Sequence, residues 1–315
     1  MIKFTLPFKK ITKKSIGQAG GKGASLGEMQ NSGFPIPSGF VVLASTFDKY
    51  INETGINVEI ETALSKVNSK DTESVEEASE VIRHLIKRTA MSLEIEKEIL
   101  AEFKKLKAKF VAVRSSATVE DSKIDSWAGE LESYLNTTEK SLIENVKKCW
   151  MSLFTPRAIF YRFARKLEKQ KISVAVVVQE MVESEISGVA FSVHPITKDK
   201  NQMIIEAGFG LGEAIVLGKI TPDSYVVDKQ DDTILDINLS EQEKMVVKRG
   251  ASGDIKEVAV PKSKQDKQKL TGKEIVQLAG IVKKIEQHYG SPQDVEWAYR
   301  GGRFYIVQSR PITTL

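Results

Sequence analysis

The chain is poor in the residues that most often announce a reactive centre: one cysteine and three histidines in 315 residues. Cys149, in the helical-looking N-V-K-K-C-W-M-S-L-F, has no second cysteine to pair with, which excludes an intramolecular disulfide framework and a cysteine metal cluster. It reads as buried packing. His84 in V-I-R-H-L-I-K, His194 before Pro195 and His288 at a helix end have neither triad partners nor ligand spacing around them. A nucleophilic triad and a zinc site therefore have no support. No apolar run approaches the length of about 18 residues that spans a bilayer. The segment from Met1 to Lys14 lacks both an apolar h-region and a small-residue cleavage site, so the expectation is a cytoplasmic protein without a membrane partner. Charge of one sign is also missing: 46 basic and 42 acidic residues leave a net +4. The Lys-rich stretch from Lys262 to Lys273 has no interleaved aromatic residue for a base to stack on. It is expected as a solvated linker, with no nucleic-acid partner.

What is present is a globular composition, 41% hydrophobic and 28% charged, over a length that suits about two domains. Apolar periodicity predicts helices over Ser45 to Glu53, Asn57 to Lys66, Ser74 to Thr89 and Ser92 to Lys107, and then a short strand from Phe110 to Arg114. After a polar loop, two more helices are expected, from Thr138 to Phe154 and from Pro156 to Glu168. Then the texture changes. Val174 to Gln179 is a continuous β-branched run, and from Gly188 onward strands dominate, interrupted by one amphipathic helix from Gly272 to Tyr289. A lobe boundary is placed between Met181 and Ile186, dividing the chain into 1–182 and 183–315.

Several stretches carry chemistry. Gly20-Gly21-Lys22-Gly23 departs from the P-loop pattern at Ile16 and Gly23, so it offers no hydroxyl for a magnesium ion. A lysine among glycines before a helix still lies where backbone N–H groups favour an anion; the other reading is a turn with a solvated lysine. Gly208-Phe209-Gly210-Leu211-Gly212-Glu213 has Glu where the dinucleotide fingerprint needs glycine, leaving a tight turn or a ligand-approaching loop. Arg114-Ser115-Ser116-Ala117-Thr118 ends a buried strand with a guanidinium fork and hydroxyls suited to phosphate. Trp127 and Gly129 follow in S-W-A-G-E-L-E-S-Y-L-N, where the tryptophan suits packing better than ligand stacking. Near the C-terminus, D-V-E-W-A-Y-R-G-G-R-F-Y-I-V-Q-S-R-P-I sets Asp294, Glu296, Gln308 and Arg310 on two strand-like runs around Gly301-Gly302.

Taken in order, G-G-K-G-A-S-L-G-E-M, A-V-R-S-S-A-T, S-W-A-G-E-L-E-S-Y-L-N, V-V-V-Q-E-M-V, S-G-V-A-F-S-V-H-P-I-T, G-L-G-E-A-I-V-L-G-K-I-T-P-D-S-Y-V-V-D and D-V-E-W-A with V-Q-S-R-P-I-T resemble the N-terminal ATP-binding domain of the phosphoenolpyruvate synthase and pyruvate phosphate dikinase family, shared with rifampicin phosphotransferase. The resemblance runs from Lys9 to Thr314. It implies an α+β, ATP-grasp fold whose two lobes hold ATP between them. It also implies an ATP-dependent phosphotransferase with magnesium as cofactor. By motif position, Lys22 and Arg114 would bind the phosphates and Gly129 and Ser133 would lie in the loop over the triphosphate. Gln179, Met181 and Val182 would border the adenine, and Arg310 would contact the triphosphate. Glu296 and Gln308 would hold magnesium, supported by Asp294. Lys22, Arg114 and Arg310 are thus the expected catalytic cations. Ser133 stands where relatives commonly have Thr, and His194 where Asn is common before Pro.

Complete relatives add a swivelling domain with a phosphorylated histidine and a domain binding pyruvate or another acceptor. No histidine here matches the phosphohistidine motif, and such domains are expected as partners on another chain or segment. In that family the histidine takes the β-phosphoryl group of ATP, with AMP and phosphate as other products, and passes it to pyruvate. A rifampicin phosphotransferase-like acceptor and a non-catalytic nucleotide-sensing module are the competing readings. Geometry adds one expectation for the hairpin. A strict two-residue loop in regular register puts Glu296 opposite Val307 and sends Gln308 to the other face. A three-residue loop, Arg300 to Gly302, with Gly302 left-handed, sets Asp294 opposite Gln308 and brings the polar residues to one face; that register is the one expected.

Overall fold

The computed structural model describes residues 3–118, 133–165, 167, 173–250 and 254–313. Trp127 and Gly129 lie outside the described residues. The chain divides into two compact units, residues 1–28 with 38–181, and residues 29–37 with 182–315. The α+β class is as expected, since each unit combines a sheet with helices.

The first unit contains β1 (Thr5–Pro7), most of α1 (Ile16–Asn31), β2 (Gly39–Val42), α2 (Ala44–Glu53), α3 (Ile56–Ser65), α4 (Thr72–Arg88), α5 (Leu93–Leu106), β3 (Val111–Ala117), β4 (Ser133–Thr137), α6 (Glu139–Met151), α7 (Pro156–Ala164) and β5 (Val174–Glu180). Its strands form an antiparallel sheet in the order β1-β2-β5-β3-β4. Strand alternation sorts the two faces. Phe40 and Val42, Val111 and Val113, and Val174, Val176 and Val178 enter one core with Phe47, Tyr50, Ile82, Ile99, Val146 and Trp150 of the helices. The tryptophan stacks on Tyr50 at 5.1 Å between ring centroids, and Tyr50 donates its hydroxyl hydrogen bond to Ile86 or Thr89 carbonyl oxygens at 3.0 Å each. Burial pushes the Tyr50 phenol up to about 12, so it remains a donor in the core. Cys149 is fully buried there, as packing. The intervening strand residues, Val41, Ala112, Arg114, Val177 and Gln179, belong to the opposite face.

The second unit contains β6 (Ile186–Phe191), β7 (Gln202–Phe209), α8 (Glu213–Val216), β8 (Asp223–Asp228), β9 (Ile234–Asn238), β10 (Lys244–Arg249), β11 (Asp254–Ala259), α9 (Gly272–Tyr289), β12 (Gln293–Arg300) and β13 (Arg303–Pro311). The main sheet runs β13-β12-β6-β7-β8-β9, with β10 and β11 as a separate hairpin. Thr271 and Glu274 form a reciprocal capping box at the start of α9, and Gly290 ends it in the left-handed conformation. Its stripe of Ile275, Leu278, Val282 and Ile285 is buried. The Lys262 to Lys273 stretch corrects one expectation. Lys269 is not solvated: its ammonium and the Asp223 carboxylate are both fully buried and lie 2.7 Å apart. Asp223 also accepts from the backbone N–H groups of Ser240 and Lys269 and from the Tyr225 hydroxyl, which supplies the extra hydrogen bonds that a buried pair needs. Among the described residues, no helix is long and apolar enough to cross a membrane.

Candidate functional site

The first polar set is assembled by one close approach. Gly20 breaks the helical path of α1 with φ 69° and ψ 171°. A Cβ at that position would lie 2.2 Å from Ser116 Oγ and 2.3 Å from the Ser116 carbonyl oxygen. Only glycine fits, both for its φ and for this contact. Ser116 Oγ donates to the Ala19 carbonyl at 2.9 Å and accepts from Gly23 N–H at 3.2 Å, on either side of the break. The glycine-rich turn is thereby fastened to the end of β3, and Lys22 Nζ donates to the Ser115 carbonyl at 3.0 Å. The G-G-K-G and R-S-S-A-T stretches are therefore neighbours.

Arg114, Gln179 and Ser133 share this face by register: Arg114 pairs with Ser133 and Val177, and Gln179 with Ala112. Ser133 is exposed at the start of β4, whereas Gln179 is buried. The Gln179 Nε2 has no hydrogen-bond partner among the described residues. Such an orphaned amide donor inside a protein calls for an acceptor. Met181 N–H donates to the Phe110 carbonyl at 3.1 Å, while Val182 begins the next unit.

The second polar set lies on the terminal hairpin, and its register corrects the sequence expectation. The loop has two residues, Gly301 and Gly302, both left-handed at φ 55° and 78°, with Arg300 opposite Arg303. That is the turn whose twist matches the strands. Trp297 then faces Ile306, but the next pair is Glu296 with Gln308: Val307 is an extra residue, a β-bulge inside β13. The bulge reverses the inside-outside parity. Phe304 and Ile306 point inward before it and Ser309 after it. Asp294 faces Arg310 and not Gln308 as expected. The polar residues still share one face, because the bulge does what the longer loop was expected to do. Trp297 is buried on the other side with Ile306, whereas Tyr305 pairs with Ala298 on the Glu296 side and, like Val307, is only partly buried.

Gln308 Nε2 donates to Glu296 Oε1 at 3.2 Å. Arg310 Nε and Nη2 each lie 2.8 Å from Asp294 Oδ2. Glu296 and the Gln308 amide oxygen are thus adjacent hard-oxygen groups, of the type that suits a magnesium ion. Among the described residues there is no group of three or more His, Cys, Asp or Glu arranged for an all-protein metal cage.

Sequence reasoning missed Glu206. Strand pairing carries one face from Glu296 through Val189 to Glu206 and Ser224. Burial, reinforced by repulsion from Asp294, holds the Glu206 carboxyl above its ordinary range. The available signal was an acid interrupting the apolar run Q-M-I-I-E-A. His194 proves to be a turn element: its Nδ1 accepts from the N–H groups of Ile196 and Thr197 at 3.2 and 3.3 Å. It performs there the acceptor role that a side-chain oxygen plays in an Asx turn.

Comparison with known proteins agrees with these motifs. A family model described as the pyruvate phosphate dikinase AMP/ATP-binding domain matches residues 16–315. The chain belongs to this family. A probable phosphoenolpyruvate synthase of Archaeoglobus fulgidus is 47% identical over 97% of the chain and 41% of its own length. A protein with the same description from Methanocaldococcus jannaschii is 43% identical over all of the chain and 27% of its own length. A rifampicin phosphotransferase of Bacillus cereus is 37% identical over all of the chain and 36% of its length. The chain thus spans well under half the length of these relatives. Membership of the pyruvate phosphate dikinase family makes it an AMP/ATP-binding domain of an enzyme family.

Proposed function

We propose that this ATP-binding domain of the pyruvate phosphate dikinase family holds Mg-ATP in an ATP-grasp manner and presents its phosphates to a histidine on a separate domain or chain. The observation that carries the reading is the bulge at Val307, which turns Glu296 and Gln308 to one face with Asp294 and Arg310 beside them. Lys22, Arg114 and Arg310 supply fixed cations for the polyphosphate, and Ser133 a hydroxyl beside Arg114. The orphaned Gln179 amide offers a donor for the adenine, next to Met181 and Val182. Glu296 and Gln308 would hold magnesium, with Asp294 orienting Arg310. The metal supplies neutralisation of phosphate charge.

Phosphoryl transfer depends mainly on positioning and on neutralising spread negative charge. In the proposed reaction the histidine nitrogen forms a bond to the β-phosphorus as its bond to the AMP oxygen breaks. Water accepts the γ-phosphoryl group, giving phosphate. The phosphohistidine then serves an acceptor of the pyruvate type. The 37% identity with a rifampicin phosphotransferase keeps a different acceptor as the second reading.

The test combines calorimetry with chemistry. Mg-ATP should bind the chain, and Lys22→Ala and Glu296→Ala should each weaken binding severely. Mixing the chain with a candidate histidine domain and ATP should yield AMP and phosphohistidine. Unchanged Mg-ATP binding in both variants would sink the site assignment; intact binding with no AMP or phosphohistidine would sink the transfer step.

A further inference from the structure

A cavity of about 510 Å³ lies in the first unit, between α4, α6 and β4. Its position follows from strand alternation. Tyr134 pairs with Val113 and packs on the helical core. The next residue back, Ser133, pairs with Arg114 on the opposite face. The cavity and the Lys22 set are therefore on different sides of the sheet.

Four of the eight lining residues are basic, and their apolar stems form much of the wall. Arg83 and Lys87 come from α4 at a spacing of four, and Lys147 and Lys148 from α6. The acid of the lining, Glu144, is already engaged at 2.7 Å by Lys148. The hydrogen bond and charge of Lys148 hold the Glu144 carboxyl below its ordinary range, and Lys87 and Lys147 push the same way. Lys147 is fixed by donating to the Lys87 and Thr89 carbonyls at the end of α4, at 2.6 and 2.7 Å. Arg83 Nε is buried and has no hydrogen-bond partner among the described residues. Burying a guanidinium N–H unsatisfied is costly. Tyr134, Ile143 and Met151 complete the lining with an apolar wall, and Lys148 Nζ sits 5.6 Å from the Tyr134 ring centroid.

A site with clustered cations and one apolar wall matches a compact anion with more than one acidic group and a short carbon body. Its volume is in the range of small-molecule sites, about 300–1,000 Å³. We infer that this cavity is a second anion-binding site, distinct from the Lys22 set, for a small phosphorylated carboxylic acid. Arg83 takes one acidic group through its terminal nitrogens, as guanidinium does with carboxylate or phosphate, and Lys87 and Lys148 take the other.

The experiment titrates phosphoglycolate, which carries one phosphoryl and one carboxyl group, into the chain by calorimetry, with inorganic phosphate in parallel. Wild type and Lys22→Ala should bind phosphoglycolate with similar affinity. Arg83→Gln and Lys148→Gln should weaken it at least about tenfold, the loss of one charged contact, while leaving Mg-ATP binding near wild type. Lys87→Gln serves as the further variant, and thermal melts confirm that each protein is folded. Binding lost in Lys22→Ala and retained in Arg83→Gln would place the anion at the nucleotide residues and overturn the proposal. Absence of saturable binding up to millimolar concentration would also overturn it, as would equal affinity in every variant. Equal affinity for phosphate and phosphoglycolate would overturn the assignment to a phosphorylated acid. Because Mg-ATP is titrated separately, failure of this site and failure of the nucleotide site give different results.

Discussion

The polar sets of the two units are held in different ways. In the first, Lys22 is positioned by backbone: a glycine pressed against Ser116 and a carbonyl that receives the ammonium. In the second, Glu296, Gln308, Asp294 and Arg310 hold one another in side-chain pairs across a bulged hairpin. A backbone-built site tolerates no added atom at its contact point. A side-chain-built site tolerates exchange of atoms but depends on the sheet beneath it. The sheet is anchored by Asp223 and Lys269, paired in the buried interior of the same unit.

Breaking that anchor should have the largest effect. Lys269→Met leaves Asp223 buried with its cation gone, and denaturant unfolding should show a loss of about 3–5 kcal/mol. Gly20→Ala tests the other architecture. The added methyl meets Ser116 at a position that also requires positive φ, so stability should fall by about 2–4 kcal/mol, with loss of Mg-ATP binding. If Gly20→Ala is neutral in both measurements, the first set is not backbone-built.

Removing functional charges should spare the fold. Lys22→Ala and Glu296→Ala should retain near-native melting temperatures and weaken Mg-ATP binding by roughly ten- to a hundredfold in calorimetry. If the assembled enzyme transfers phosphate, each should also lower its rate by about 10² to 10³.

The smallest effect concerns Glu206. Its folded pKa is raised, so its ionised form is the one that the fold disfavours. Its cost is therefore absent at acid pH and develops as pH rises above the ordinary carboxylate value of about 4.3. Glu206→Gln should raise the melting temperature at neutral pH, and the gain should disappear on acidification. A gain independent of pH would mean that repulsion and burial of the carboxylate are not the cause.

Much of this was legible in particular residues. The β-branched run from Val174 and the stripe of α9 gave their elements, and Lys22, Arg114 and the acids of the hairpin stood out by type. The hairpin register was misjudged for a physical reason. The requirement that Glu296 and Gln308 share a face was sound, but one extra residue restores parity equally well in the loop or within a strand. Gly301-Gly302 favoured the tight turn, and the bulge went to Val307. Glu206 was missed because its neighbours on the sheet face come from strands that no local spacing connects. Lys269 was misread because a lysine-rich stretch says nothing of a buried Asp223 46 residues away.

The sequence by itself determined the types of charge available, the alternation that gives each strand two unlike faces, and the glycines without which Gly20 and the hairpin loop could not form. Those are local properties, fixed by side-chain chemistry and by steric limits on the backbone. Tertiary structure alone decided that Ser116 would meet Gly20, that Asp294 would take Arg310, and that Glu206 would join the hairpin's polar face. Each depends on packing and strand order, where the free energy of a contact is set by burial and by partners far away in the chain.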